Sequence, residues 1–286
     1  MKKLVIFGVG LIGGSVALAL KKAKNTAEII GVGRSAESLQ SALDLGVIDA
    51  ASSDVASAIK DADIILIAAP VAQTPAILNA IKPHLNASTV ITDAGSTKGD
   101  VLQCAKDILG DQSHQFVGGH PIAGAEKSGV TAAMADLYLN KNVVITPAAE
   151  TNPQAIASVK ALWQECGANV SEMTAATHDG IFAAVSHLPH LLAFALVDDI
   201  ASRANAEQLF GFAASGFRDF TRIAGSHPEM WRDISLANRI ALLDELDAYQ
   251  AELARLHDLL EREDGNGLHA LFERASIARN NWGKNQ

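Results

Sequence analysis

Three stretches of the 286-residue sequence combine reactive or anion-binding residue types with spacings that ordinary packing does not require. Gly8-Val9-Gly10-Leu11-Ile12-Gly13 fits G-x-G-x-x-G between an apolar run and a helical one. In that setting Gly8 allows a tight turn, Gly10 lets the backbone approach a pyrophosphate, and Gly13 lets the following helix lie close to the strand. The free N–H groups around Leu11 and Ile12, at the helix start, would face the anion. Thr92-Asp93-Ala94-Gly95-Ser96-Thr97-Lys98 and Gly118-Gly119-His120-Pro121-Ile122-Ala123-Gly124 each lead out of an apolar run, where open α/β sheets bind ligands. Taken alone, Ser96 is also a natural helix N-cap, and Gly-Gly-His-Pro is ordinary loop punctuation. His187 and His190 lie three apart, but no third ligand accompanies them and Pro189 marks a helix start, so no metal is expected. Asp219 and Arg222 share a helical stretch, where such a pair is worth under about 1 kcal/mol at a surface.

The segment after the second apolar run indicates which dinucleotide the turn would hold. An NAD site usually places Asp or Glu there, on the ribose 2′-hydroxyl. Here Glu28-Ile29-Ile30-Gly31-Val32 continues as Gly33-Arg34-Ser35. A carboxylate would repel a 2′-phosphate, whereas Arg34 offers a charged planar fork and Ser35 a hydroxyl, so NADP is expected in preference to NAD.

These residues need a scaffold, and the first 170 positions supply one. Apolar runs lie at Leu4–Gly8, Ile29–Gly33, Asp63–Pro70, Thr89–Ala94, Gln115–Gly118 and Asn142–Thr146, without polar alternation, as for strands covered on both faces. Between them, helical patterns cover Leu11–Lys22, Ser35–Leu45, Gln73–Ile81, Lys98–Leu109 and Pro153–Cys166. The alternation predicts a doubly wound α/β domain over residues 1–172. From 173 to 286 only helical periodicity remains, at Thr174–Ser202, Ala206–Phe212, Pro228–Glu263 and Gly267–Arg279, which predicts an all-α second domain. Leu246, Tyr249, Leu253, Leu256 and Leu260 recur at spacings of three and four, a seam suited either to packing within that domain or to a dimer.

Composition narrows the class further. With 49% hydrophobic and 19% charged residues the chain can bury a large core. A net charge of −9 argues against a nucleic-acid partner, which needs clustered Lys and Arg. Two distant cysteines, Cys104 and Cys166, make neither a disulfide framework nor a CxxC motif, so a reducing, cytoplasmic setting is expected. Met1-Lys2-Lys3 before Leu4–Leu20 imitates a signal peptide, but glycines at 8, 10, 13 and 14 suit a phosphate-binding turn better. No other uninterrupted apolar run reaches the roughly 18 residues of a membrane span, and no membrane partner is expected.

Taken in order, Gly8–Gly13, Asp93–Lys98, Gly119–Gly124, Ser186-His187-Leu188-Pro189-His190 and Phe217-Arg218-Asp219-Phe220-Thr221-Arg222-Ile223-Ala224 resemble the prephenate/arogenate (cyclohexadienyl) dehydrogenases of tyrosine biosynthesis, over nearly the whole chain. The resemblance implies a Rossmann-type domain followed by a helical domain that forms a homodimer. It also implies the oxidative decarboxylation of a small dianionic ring acid with hydride passing to NADP or NAD. His120 matches the family's catalytic histidine, the acceptor of the 4-hydroxyl proton, and Ser96 its active-site serine. Arg222 matches the arginine that binds a substrate carboxylate, and His190 the second active-site histidine. Glu126, Asp219 and Arg222 match an ionic cluster at the mouth of the site. His187 and Trp231 are read as core, and Arg218 as helix surface. Family members with a fused mutase or a regulatory domain are longer, so any feedback by tyrosine is expected at the active site itself.

Two other readings fit the same architecture. A β-hydroxyacid dehydrogenase would need a lysine in the helical domain, yet no Lys occurs between Ser171 and Arg279. Neither it nor a pyrroline-carboxylate reductase explains the Gly-Gly-His-Pro and Ser-His-Leu-Pro-His segments. A non-catalytic dinucleotide sensor would bind the cofactor and turn over no ring acid.

Overall fold

The computed structural model describes residues 1–125 and 127–284. Its strands are β1 (Lys3–Phe7), β2 (Glu28–Val32), β3 (Ala50–Ser52), β4 (Ile64–Ile67), β5 (Val90–Asp93), β6 (Phe116–Pro121), β7 (Asn142–Thr146) and β8 (Asn169–Glu172). Among them run α1 (Leu11–Lys22), α2 (Ala36–Asp44), α3 (Val55–Ile59), α4 (Thr74–Ile81), α5 (Gly99–Leu109) and α6 (Pro153–Glu165). Strands with apolar side chains on both faces need cover on both. Leu4 and Ile6 of β1 join one layer with Val16 and Leu20 of α1 and Leu162 and Trp163 of α6. Val5 and Phe7 join the other, with Ile59 of α3, Leu78 of α4 and Val101 of α5. The strand order is β3-β2-β1-β4-β5-β6-β7-β8, a doubly wound sheet whose order reverses between β1 and β4.

Register places the chemistry. Phe7 of β1 lies beside Ile67 of β4, and Ile67 beside Asp93 of β5, so three strands end at one level. β6 runs on past that level because β7 pairs with it antiparallel, His120 opposite Val144. His120 and Pro121 are therefore strand residues rather than loop, and the sheet is mixed rather than wholly parallel. The two short strands without an apolar run, β3 and β8, were not legible as strands, and neither was α3 as a helix; β3 and β8 are taken up by their neighbours at the sheet edges.

Past residue 174 the chain is helical: α7 (Ala175–Phe182), a π turn (Ala183–His187), α8 (Leu188–Ala201), α9 (Ala206–Gly211), α10 (Ser215–Thr221), α11 (Pro228–Ala237), α12 (Arg239–Glu261) and α13 (Gly265–Gly283). The expected Thr174–Ser202 helix is thus interrupted by a π turn, and Pro228–Glu263 is two helices broken at Asn238. By length and composition 175–201 is apolar enough to cross a membrane. It carries Asp179, however, whose carboxylate is hydrogen-bonded to the start of α5, which marks a helix packed within the protein. Met1–Arg239 form one compact unit and the segment from Ile240 onward a second. Within the latter, Leu253 and Leu260 of the sequence seam are exposed, as are Phe272, Ile277 and Trp282.

Candidate active site

The glycine turn follows β1 at the point where the strand order reverses. Gly8 has φ +95°, and a Cβ there would sit 2.7 Å from the carbonyl oxygen of Ala68, after β4. At Gly13 a Cβ would lie 2.3 Å from the oxygen of Gly8. Around the Cβ position of Gly10, by contrast, nothing lies within 4 Å. Two glycines are therefore required by the protein's own backbone, while the middle one borders open space. No side chain caps α1 at Gly10, so its first N–H groups are left to a ligand. Leu11 and Ile12 are half-buried in that first turn, which is braced from behind: Tyr138 Oη donates to the carbonyl of Ile12 at 2.7 Å, and Ser15 Oγ accepts from Met134 N at 2.9 Å. These features fit a dinucleotide pyrophosphate. Arg34 is exposed immediately past β2. Ser35 is the N-cap of α2, its Oγ accepting from Ser38 N at 3.1 Å, a local role that the sequence reading had not assigned to it.

The two polar stretches beyond β5 and at the end of β6 form one braced structure. Asp93 accepts from Gly95 N at 2.8 Å and from Gly119 N at 2.9 Å. Lys98, wholly buried, pairs through Nζ with Asp93 and donates to the carbonyl of Gly119 at 2.7 Å. A Cβ on Gly119 would meet the Asp93 carbonyl oxygen at 2.6 Å, so glycine is what lets the strands close here. A buried charge pair of this kind persists only because each ion has several partners. Its effect is to fix the backbone on either side of Ser96 and of His120. Ser96 is half-buried and does not cap α5. That position belongs to Asp179 of α7, which accepts from Lys98 N at 2.9 Å and Gly99 N at 2.7 Å. The hydroxyl of Ser96 is left for other work.

His120 does not stand alone. Its Nδ1 lies 2.8 Å from Nε2 of His178, and His178 Nδ1 lies 2.8 Å from Oδ1 of Asp179. Phe182, one turn further along α7, lies against both rings, with centroids 4.7 and 4.5 Å away. Burial holds the His120 imidazole well below its usual pKa, helped by the Lys98 ammonium and by His178 and His187, so it is neutral at neutral pH. For Asp179 burial works the other way, but hydrogen bonds from His178, Gly99 N and Lys98 N prevail and hold the carboxyl below its usual range.

A second cluster adjoins the first. Asn238, between α11 and α12, donates through Nδ2 to the Asp179 carbonyl at 2.8 Å and lies 3.1 Å from His187 Nδ1. Burial pushes His187 down to about 4, against the pull of Asp179. His190 bonds the Ser186 carbonyl through Nδ1 at 2.9 Å and stacks on Trp231, with ring centroids 3.6 Å apart. Burial and the nearby Arg222 cation both lower its pKa. Arg222 and His190 are thus brought together, with Trp231 doing more than filling core. Asp219 is exposed on α10 and forms no ion pair among the described residues. Arg222 starts the 3-10 turn after α10, so the two do not share one helix face as expected. Glu126 lies outside the described residues.

Sequence reading missed His178, Asp179 and Asn238, and saw Asp93 and Lys98 only as part of a polar stretch. The signal available for the first two was an adjacent His-Asp pair in an otherwise apolar helix after Thr174, a side-chain cap.

The sequence matches two family models in tandem: prephenate dehydrogenase, nucleotide-binding domain, over residues 16–172, and prephenate dehydrogenase, dimerization domain, over 174–274. A prephenate dehydrogenase of Bacillus subtilis (strain 168) is 41% identical over 278 residues, covering 96% of this chain and 75% of that protein. A cyclohexadienyl dehydrogenase of Zymomonas mobilis is 35% identical over 282 residues, covering 97% and 95%. Among solved structures, prephenate dehydrogenase from A. aeolicus in complex with hydroxyphenyl propionate and NAD+ superimposes with a TM-score of 0.92 at 37% identity, covering 98% and 97% of the two chains.

Proposed function

The chain belongs to the prephenate dehydrogenase family, and from that premise we propose that it oxidatively decarboxylates prephenate or arogenate in tyrosine biosynthesis, with NADP as the preferred acceptor. The observation that carries the reading is His120: neutral, hydrogen-bonded on one ring nitrogen, and fixed at the end of β6 by the Asp93–Lys98 brace. Such a group accepts a proton, which is what the 4-hydroxyl of a cyclohexadienol must lose as C4 is oxidised. The ring carboxylate then leaves as CO2, and its electron pair aromatises the ring. When bound, the nicotinamide takes the hydride from C4. Gly8, Gly10, Leu11, Ile12 and Gly13 would hold the dinucleotide's pyrophosphate.

The remaining roles follow from chemistry and placement. Ser96 would hydrogen-bond the reacting hydroxyl. Arg222 would pair with a substrate carboxylate, and His190, held flat on Trp231, would contact the substrate beside it. Asp219 and Glu126 would complete the charge pattern at the mouth of the site. Residues 1–172 would carry the dinucleotide and 173–286 the substrate contacts and a homodimer interface. The exposed Leu253, Leu260, Phe272 and Ile277 support that interface, and it is testable by sedimentation. A cytoplasmic location fits the two reduced cysteines.

The cofactor preference rests on Gly33 in the place of an acidic residue and on Arg34 exposed beside it. Formation of reduced nicotinamide from each ring acid with each dinucleotide tests the whole reading. Turnover is expected, faster with NADP. Arg34→Ala should lower kcat/KM for NADP about 10–100-fold more than for NAD, the value of one charged hydrogen-bonding group. An Arg34→Ala enzyme with an unchanged ratio would remove the NADP assignment. Silence in all four combinations from folded protein would favour the sensor.

A further inference from the structure

The chain of contacts from His120 through His178 to Asp179 determines more than position. Asp179, held as a carboxylate by three N–H donors, only accepts hydrogen bonds. The Nδ1 of His178 facing it therefore carries a proton. In a ring bearing one proton, Nε2 is then a lone pair, and the His120 Nδ1 facing it at 2.8 Å must be the donor. That leaves Nε2 of His120 bare, and among the described residues it has no hydrogen-bond partner. We propose that His178 and Asp179 are positioning residues that fix the tautomer of His120, so that its Nε2 is the proton acceptor of the reaction.

The inference deepens the role given to His120 above and rests on it. It also has a charge consequence. A proton arriving at Nε2 makes an imidazolium whose Nδ1–H already points along a chain ending in a buried carboxylate, the arrangement that stabilises the transient cation in hydrolase triads. The other charged or titratable groups facing the pair are Lys98 from the start of α5 and His187 from the π turn. Both would oppose a cation at His120, which makes Asp179 the one compensating charge. Because Asp179 also caps α5, the tautomer of the base and the backbone that carries Ser96 and Lys98 are set by one side chain.

Two measurements test this on the full-length protein. Nitrogen-15 spectra of histidine-labelled enzyme, assigned with His120→Asn and His178→Gln, read the tautomer without any substrate. The unprotonated, pyridine-like resonance of His120 is expected at Nε2 and that of His178 also at Nε2. A pyridine-like Nδ1 in His120, or imidazolium shifts at both nitrogens of His178, would overturn the proposal. In the assay, His178→Gln retains an oxygen acceptor for His120 Nδ1–H and His178→Leu does not. The Leu variant is expected to have kcat about tenfold lower than the Gln variant, with similar KM for the dinucleotide. Equal kcat in the two would refute the positioning role. Should the Leu variant fail to fold, the spectra still decide. Should the wild type turn over no ring acid, the function fails while the tautomer is judged by itself.

Discussion

The glycine turn and the histidine chain use opposite materials. Residues 8–13 present backbone N–H groups, and their specificity comes from side chains that are missing: a Cβ would collide at 8 and at 13 and meets nothing at 10. The chain from His120 to Asp179 presents side chains, taken from β6 and α7 and braced from the end of β5, and every polar atom in it has an assigned neighbour. A backbone site is local, so six consecutive residues specify it. A side-chain network exists only after residues 58 positions apart have met, so it shares the cooperativity of the folded state and its exposure to pH.

The largest difference should appear when each site loses its central residue. His120→Asn is expected to cost about 10²–10⁴ in kcat, as for loss of a general base, with dinucleotide affinity unchanged in a fluorescence titration. A kcat within tenfold of wild type would mean that the proton leaves by another route.

Acid should separate the two sites next. His187 has a folded-state pKa of about 4 against about 6.5 unfolded, and His120 and His190 are displaced in the same direction. A depressed folded value means that the unfolded chain binds the extra protons. Stability is therefore complete above pH 6.5 and is lost as pH falls through 4. His187 alone accounts for something on the order of 3 kcal/mol of that loss. Urea midpoints should fall between pH 7 and 4.5, and His187→Gln should flatten the slope. An unchanged slope would show that the ring is not buried in its neutral form.

The smallest effect sharpens the contrast within the turn itself. Gly13→Ala forces a Cβ against the Gly8 carbonyl and should destabilise the fold by about 1–3 kcal/mol, read by thermal unfolding. Gly10→Ala, with φ −102°, should leave the unfolding midpoint in place while weakening dinucleotide binding. Equal melting losses in both variants would remove the distinction between a structural glycine and a ligand-facing one.

The same contrast explains what could be read in advance. The long apolar strands and the glycine turn are each specified by neighbours in sequence, and their order in the sheet follows from alternation with helices. β3 and β8 carry no apolar run, because an edge strand is stabilised by its partner more than by its own residues. The Gly-Gly-His-Pro segment looks like a loop since Gly and Pro disfavour strands, yet pairing with β7 overrides that local preference. His120 and His190 were recognisable through surrounding motifs. His178 and Asn238 were not, since nothing near them in sequence distinguishes them from packing residues; each acquires a role only through partners dozens of positions away.

The π turn at Ala183–His187 has a consequence for how this chain tolerates change. A π turn is, in effect, one residue inserted into an α-helix. Deleting a residue from 183–187 would relax the segment to regular α-helix and rotate everything after it by about 100°. His190 would turn away from Trp231, although no residue in either ring had been altered. Substitutions across this stretch should therefore be absorbed far more readily than any change in its length.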